Sequence, residues 1–118
     1  MISKKFWGQS LHINLHNCDK NKFSKISLRE FCDLLCKKIK MKKYGEAKVE
    51  RFGSGKLRGN SAFQFIQTSG IAVHVDEFLN RVFIDIFSCK KFDRYKAKSI
   101  SKKFFSAKKA NSKFLNRF

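Results

Sequence analysis

Polar and apolar residues alternate along Ser10-Leu11-His12-Ile13-Asn14-Leu15-His16. A period of two marks a half-buried strand, because successive side chains leave opposite faces of the backbone. Asn17-Cys18-Asp19 ends it. The period then changes. Ser27-Leu28-Arg29-Glu30 has the form of a capping box, and Leu28, Phe31, Leu34, Leu35 and Ile39 recur at the spacing of one helical face. That predicts a helix over residues 28–42, with lysines in its last turn complementing the negative end of the helix dipole. Four short apolar runs follow: Ala47–Phe52, Ala62–Gln67, Ile71–Val75 and Arg81–Phe87. Gly53-Ser54-Gly55, Gly59-Asn60, Thr68-Ser69-Gly70 and Asp76 to Asn80 break the chain between them, so each run reads as a strand. Tyr95, Ile100, Phe104 and Phe105 are then scattered among lysines, which predicts a basic helical segment over 93–118. The order strand, helix, four strands, helix fits one domain over 1–118. Its fold class is α+β, a two-layer sandwich with an antiparallel sheet and helices on one face.

Composition narrows the partners. The chain has 118 residues, 42% of them hydrophobic and 14% aromatic, enough apolar surface for a core. No apolar run approaches the ~18 residues of a membrane span, and the basic start Met1-Ile2-Ser3-Lys4-Lys5 lacks the apolar stretch of a secretory signal. A cytoplasmic protein without a membrane partner is the expectation. Cys18, Cys32, Cys36 and Cys89 form no Cys-x-x-Cys pair, so reduced thiols and no metal site are expected. Against 27 lysines and arginines stand only 9 acids, a net charge of +18. Such a balance suits nucleic acid, but lysine excess, abundant phenylalanine and absent proline also fit AT-rich coding. A solvated basic face is favoured over a nucleic-acid partner.

The reactive residues near the middle of the chain are undramatic when taken singly. Ser69 stands in a tight turn before Gly70, His74 lies five residues on within a strand, Cys89 follows an apolar strand, and Ser61 precedes another. A lone strand histidine is more often structural than catalytic, and a lone cysteine is more often a small hydrophobe. The residues by themselves describe a basic α+β domain and no more.

Their order and spacing resemble those of the prokaryotic S-adenosylmethionine decarboxylase proenzymes. That family carries Gly-Val-Ser-Gly, an apolar strand, Glu-Ser-His, His-Thr-Trp-Pro-Glu and Asp-Ile-Phe-Thr-Cys-Gly. This chain has Gly59-Asn60-Ser61-Ala62, Phe63 to Gln67, Thr68-Ser69-Gly70, His74 and Asp85-Ile86-Phe87-Ser88-Cys89-Lys90. Gly8-Gln9-Ser10-Leu11, ending at Asn17-Cys18-Asp19, is similar to the family's opening Gly-x-His-Leu strand. The resemblance implies a cut between Thr68 and Ser69 and a pyruvoyl cofactor derived from Ser69, which would serve as the electron sink for decarboxylation. A strained turn at the serine would favour the acyl shift. Ser61 and His74 would assist processing, His74 as a base, and Cys89 would return a proton to the substrate carbon. S-adenosylmethionine, decarboxylated for spermidine synthesis, would be the substrate, and a homodimer the assembly.

Departures from the pattern bear on the substrate. Thr68 and Gly70 replace the glutamate and histidine that flank the family serine. Asp76-Glu77-Phe78 replaces Trp-Pro-Glu, so the ribose-binding glutamate falls on Phe78, with Glu77 one residue away as the nearest carboxylate. Asn14 stands where the family often has an acid. Phe52 matches an aromatic that stacks on the substrate. These changes keep two alternatives open: the same chemistry on arginine or ornithine, and an uncleaved relative that regulates a partner or binds through its basic surface.

Overall fold

The computed structural model describes residues 6–118. Strand β1 (Gly8–His16) leads to helix α1 (Lys25–Lys38) and β2 (Lys48–Phe52). The strands β3 (Gly59–Ile66), β4 (Ser69–Asp76) and β5 (Arg81–Ser88) then run as a meander. Helix α2 (Arg94–Phe104) and strand β6 (Lys109–Arg117) complete the chain. The six strands form one antiparallel sheet in the order β2-β3-β4-β5-β1-β6.

Alternation sorts the side chains between the two faces. Leu11, Ile13 and Leu15 of β1, Ile71, Val73 and Val75 of β4, and Val82, Ile84 and Ile86 of β5 are buried with Leu28, Phe31 and Leu35 of α1. The Phe31 ring meets those of Phe104 and Phe105, with centroids 5.3 and 4.9 Å apart, and so ties the two helices together on this face. The other face of the sheet carries His12, Phe63, Phe65, His74 and Asp85, and among the described residues no helix lies over it. This is the predicted α+β two-layer sandwich.

Two elements differ from the sequence reading. Helix α1 begins at Lys25, because Ser24, not Ser27, is its cap: Ser24 Oγ accepts the Ser27 backbone N–H at 3.1 Å. The capping-box pattern at Ser27 is an internal feature of a helix that has already started. Ser24→Ala should therefore lower stability by about 1 kcal/mol, the usual cost of losing a cap, while Ser27→Ala should cost less; urea melts of both variants check this.

The second correction concerns the basic segment 93–118, which is helical only over Arg94–Phe104. Residues Lys109–Arg117 form β6, paired with β1 from Gly8↔Arg117 to His16↔Lys109. Only Ala110 and Phe114 of this strand pack against the core. A solvated edge strand gives a weak period-two signal, and lysine is a frequent guard of such edges. Lys38, Lys40, Lys90, Lys91 and Lys96 ring a surface cleft beside Ile39 and Phe92. None of these residues belongs to the uncovered sheet face described next.

Candidate active site

The uncovered face of the sheet holds a hollow because two of its central residues are small. Gly70 and Ala72 sit side by side on β4, between Phe63 and Phe65 of β3 and Asp85 and Phe87 of β5. The result is a cleft of about 400 Å³ lined by Ser10, His12, Phe63, Phe65, Ser69, Gly70, Ala72, Asp85, Ile86 and Phe87. A side chain on Gly70 would fill it: a Cβ there would stand 2.6 Å from the Phe63 ring.

Ser69 lies at the end of this hollow, as the first residue of β4. It pairs with Ile66 across the β3–β4 hairpin and with Ser88 of β5. Gln67 and Thr68 make the two-residue turn. The Ser69 backbone is near-extended (φ 159°), so a regular hairpin replaces the strained turn that the sequence suggested. The bond between Thr68 and Ser69 is nevertheless well placed. The Thr68 carbonyl accepts the Cys89 backbone N–H at 3.1 Å. The Thr68 hydroxyl lies 2.7 Å from that of Ser88, which is fully buried. A donor already aimed at a carbonyl oxygen stabilises negative charge that develops there when the carbon is attacked.

The structure thus brings Thr68, Ser69 and Cys89 together through the register of β4 with β5. It does not bring Ser61 and His74 to them. Those two are cross-strand partners on β3 and β4, with Ser61 Oγ 3.1 Å from His74 Nδ1. His74 is five residues from Ser69 along one strand, roughly 17 Å at the rise of a strand. The pair instead borders a second hollow with Lys48, Glu50 and the exposed ring of Phe52. Phe63 and Ala72 line both hollows, so the two are contiguous on one face.

Glu77 lies outside both. Its carboxylate takes two hydrogen bonds from Arg51, at 2.5 and 2.9 Å, and these hold it below the usual carboxylate range. It is the ion-pair partner of Arg51. Phe78 is exposed, with Lys56 Nζ 5.2 Å from its ring centre.

Of the four thiols, only Cys89 is exposed. Burial pushes Cys18 and Cys36 up to about 11 and Cys32 to about 12, so these three stay protonated and unreactive at neutral pH. A maleimide applied to the native protein should label one cysteine, Cys89, and peptide mapping should find the other three unmodified until the chain is denatured.

The sequence reading passed over one pair in the hollow: His12 Nδ1 and Asp85 Oδ1 are 2.7 Å apart. The two are cross-strand neighbours on β1 and β5, 73 residues apart in the chain. His12 carried only a strand alternation signal, and Asp85 only a place in the family motif. Among the described residues, no group of three or more histidine, cysteine or acidic side chains is arranged to hold a metal ion.

Comparison with known proteins adds two findings. The family model described as S-adenosylmethionine decarboxylase matches residues 9–118. The crystal structure of the adenosylmethionine decarboxylase from Aquifex aeolicus VF5 superposes with a TM-score of 0.79 at 18% identity, covering 96% of this chain and 92% of that one. No curated protein sequence matches.

Proposed function

The chain belongs to the S-adenosylmethionine decarboxylase family, and from that premise we propose that it is a self-cleaving, pyruvoyl-dependent decarboxylase that takes its cofactor from Ser69. The observation that carries this reading is the Thr68–Ser69 bond itself. It stands in a hairpin at the end of an open hollow, with the Cys89 N–H already on its carbonyl oxygen. Those residues fit a keto-acyl group formed in place: the cut would free an end that borders the cleft, and Gly70 and Ala72 leave room beside it.

The chain's own residues divide the work. The Ser69 hydroxyl attacks the Thr68 carbonyl carbon. The oxygen that gains charge keeps its hydrogen bond from Cys89 N–H. The C–N bond breaks and the nitrogen leaves as the Ser69 amine, so the Thr68 acyl group is held as an ester. A base then removes the Ser69 Cα proton and Thr68 departs as a carboxylate. Loss of ammonia to water completes the pyruvoyl end, which when present supplies an electron sink for loss of carbon dioxide from a bound amino acid. The exposed Cys89 thiol, next to this end in the β4–β5 register, is the proton donor to the product carbon.

The base is His74, oriented by its contact with Ser61. At roughly 17 Å from Ser69 within one chain, it must come from a second copy. Phe63 and Phe65 are exposed on the uncovered face, and Trp7 stacks on Phe87 at 5.8 Å. An apolar sheet face of this kind is suited to burial against another sheet. A homodimer closed over this face would juxtapose the two hollows and exclude water from them. Sedimentation should accordingly give twice the mass of the chain.

S-adenosylmethionine is the substrate we assign. Release of labelled carbon dioxide from carboxyl-labelled S-adenosylmethionine, arginine and ornithine tests it. Release from S-adenosylmethionine supports the assignment; release from arginine or ornithine alone overturns it. The second outcome has its own motive, because Glu77 is held by Arg51 and Phe78 offers no acceptor for ribose hydroxyls.

A further inference from the structure

The hollow beside Ser69 contains one charged cluster that the processing chemistry does not use. Asp85 is half exposed on the uncovered face, bonded through Oδ1 to His12 Nδ1. Among the described residues its second oxygen has no partner. Its neighbours on this face are Phe83 and Phe87 along β5, Ala72 across on β4 and His12 across on β1. His12 is flanked on its far side by Lys113 of β6. Apart from His12 and Asp85, every residue that lines the hollow is apolar, a serine or a glycine.

We propose that this hollow binds a cationic group of the substrate, received by the Asp85 carboxylate, with His12 as the residue that positions that carboxylate. The inference deepens the decarboxylase reading and relies on it for the placement of the substrate's amine at Ser69. Three observations lead to it. First, the chain carries a net charge of +18; a cation approaching it needs a local negative group, and Asp85 is the one acid in the hollow. Second, the site lies at a useful reach. Asp85 is paired with Ala72, three residues from Ser69, a span of roughly 10 Å along the strand that its side chain and an extended substrate can share. Third, the carboxylate is pre-oriented. With Nδ1–H donated to Oδ1, the imidazole fixes one oxygen and leaves the other without a partner among the described residues, while the exposed Phe63 ring adds the attraction of an aromatic face for positive charge. Phe87 is already covered by Trp7 and the Arg117 guanidinium.

Equilibrium binding to the full-length Ser69→Ala chain tests the proposal without any need for cleavage or turnover. The probes are S-adenosylmethionine, which carries a sulfonium cation, its neutral counterpart S-adenosylhomocysteine, and arginine. The unsubstituted pocket should prefer a cationic probe to the neutral one. Adding Asp85→Asn should weaken the cationic probe about tenfold, the equivalent of 1.4 kcal/mol, and change S-adenosylhomocysteine less than about twofold. Asp85→Glu, which keeps the charge, should retain the preference, and His12→Gln should reduce the preference without abolishing it. Whichever cation binds, sulfonium or guanidinium, identifies the substrate branch. Equal losses for charged and neutral probes in Asp85→Asn, no loss in either, or no binding by the starting chain would each overturn the proposal. Cleavage is read separately on the serine-containing protein, so a failure of self-processing and a failure of cation binding are told apart.

Discussion

Ser69→Ala is expected to run as a single uncut chain under denaturing conditions, where the unsubstituted protein gives two fragments. The effect should be total, because the first step needs an oxygen nucleophile at that position and alanine supplies none. Cys89 N–H can polarise the Thr68 carbonyl, but polarisation alone does not open an amide. The variant should fold normally. Ser69 is only partly buried, and among the described residues its hydroxyl makes no hydrogen bond, so its loss leaves no buried group unpaired. Matching thermal melts for the two proteins would confirm that lost chemistry, not lost structure, keeps the chain whole. Hydroxylamine separates the steps further. Added to freshly made, still uncut precursor, it should speed cleavage of the serine-containing chain by trapping the ester at Thr68, and leave Ser69→Ala intact.

Gly59→Ala should lower stability sharply. A Cβ at this position would stand 2.0 Å from the backbone carbonyl oxygen of Val75. That oxygen belongs to the sheet ladder and cannot swing aside as a flexible side chain could. Strands β3 and β4 must part locally, one register step from the buried Asn60, whose amide donates to the Phe23 carbonyl at 2.8 Å. A loss of roughly 3 kcal/mol is expected, at the upper end of overpacking costs, with the melting temperature falling by at least 10 °C or so. Ser61 and His74 pair one step further on, so any chains that still fold should also process slowly. Gly55→Ala is the comparison. Its Cβ would meet nothing within 4 Å, and only its positive φ of 57° carries a cost, about 1–2 kcal/mol. Calorimetry of the two variants should rank them accordingly.

Much of the sheet could be read from the chain because its central strands bury one face completely. Leu11, Ile13 and Leu15 alternate with polar residues, as do Ile71, Val73 and Val75, and burial of one face turns that alternation into a fixed register. The helix periodicity of Leu28, Phe31 and Leu35 was equally plain. What the pattern missed was local and weakly buried. Ser24 and Ser27 can both cap a helix, and only the bond from Ser27 N–H to Ser24 Oγ decides between them. Strand β6 is held by one neighbour and only partly buries two residues, so its lysines obscured it.

The candidate site's residues could be singled out from the sequence, but their arrangement could not. Spacing singled out Ser61, Ser69, His74 and Cys89 as candidates, and the β4–β5 register sets Cys89 against Thr68. The same pattern says nothing about distance, and the extended strand between Ser69 and His74 places them too far apart to act within one chain. The His12–Asp85 contact was invisible for a related reason. Its members are far apart in sequence, and only the pairing of β1 with β5 makes them neighbours.

The intact mass of the freshly purified protein, before and after borohydride treatment, tests the central claim most directly. The account predicts two species. One is the segment 1–68 with an ordinary carboxylate end. The other begins at position 69 with a keto-acyl group that gains two hydrogens on reduction. A single species at the mass of the full uncut chain, unchanged by borohydride, would contradict it.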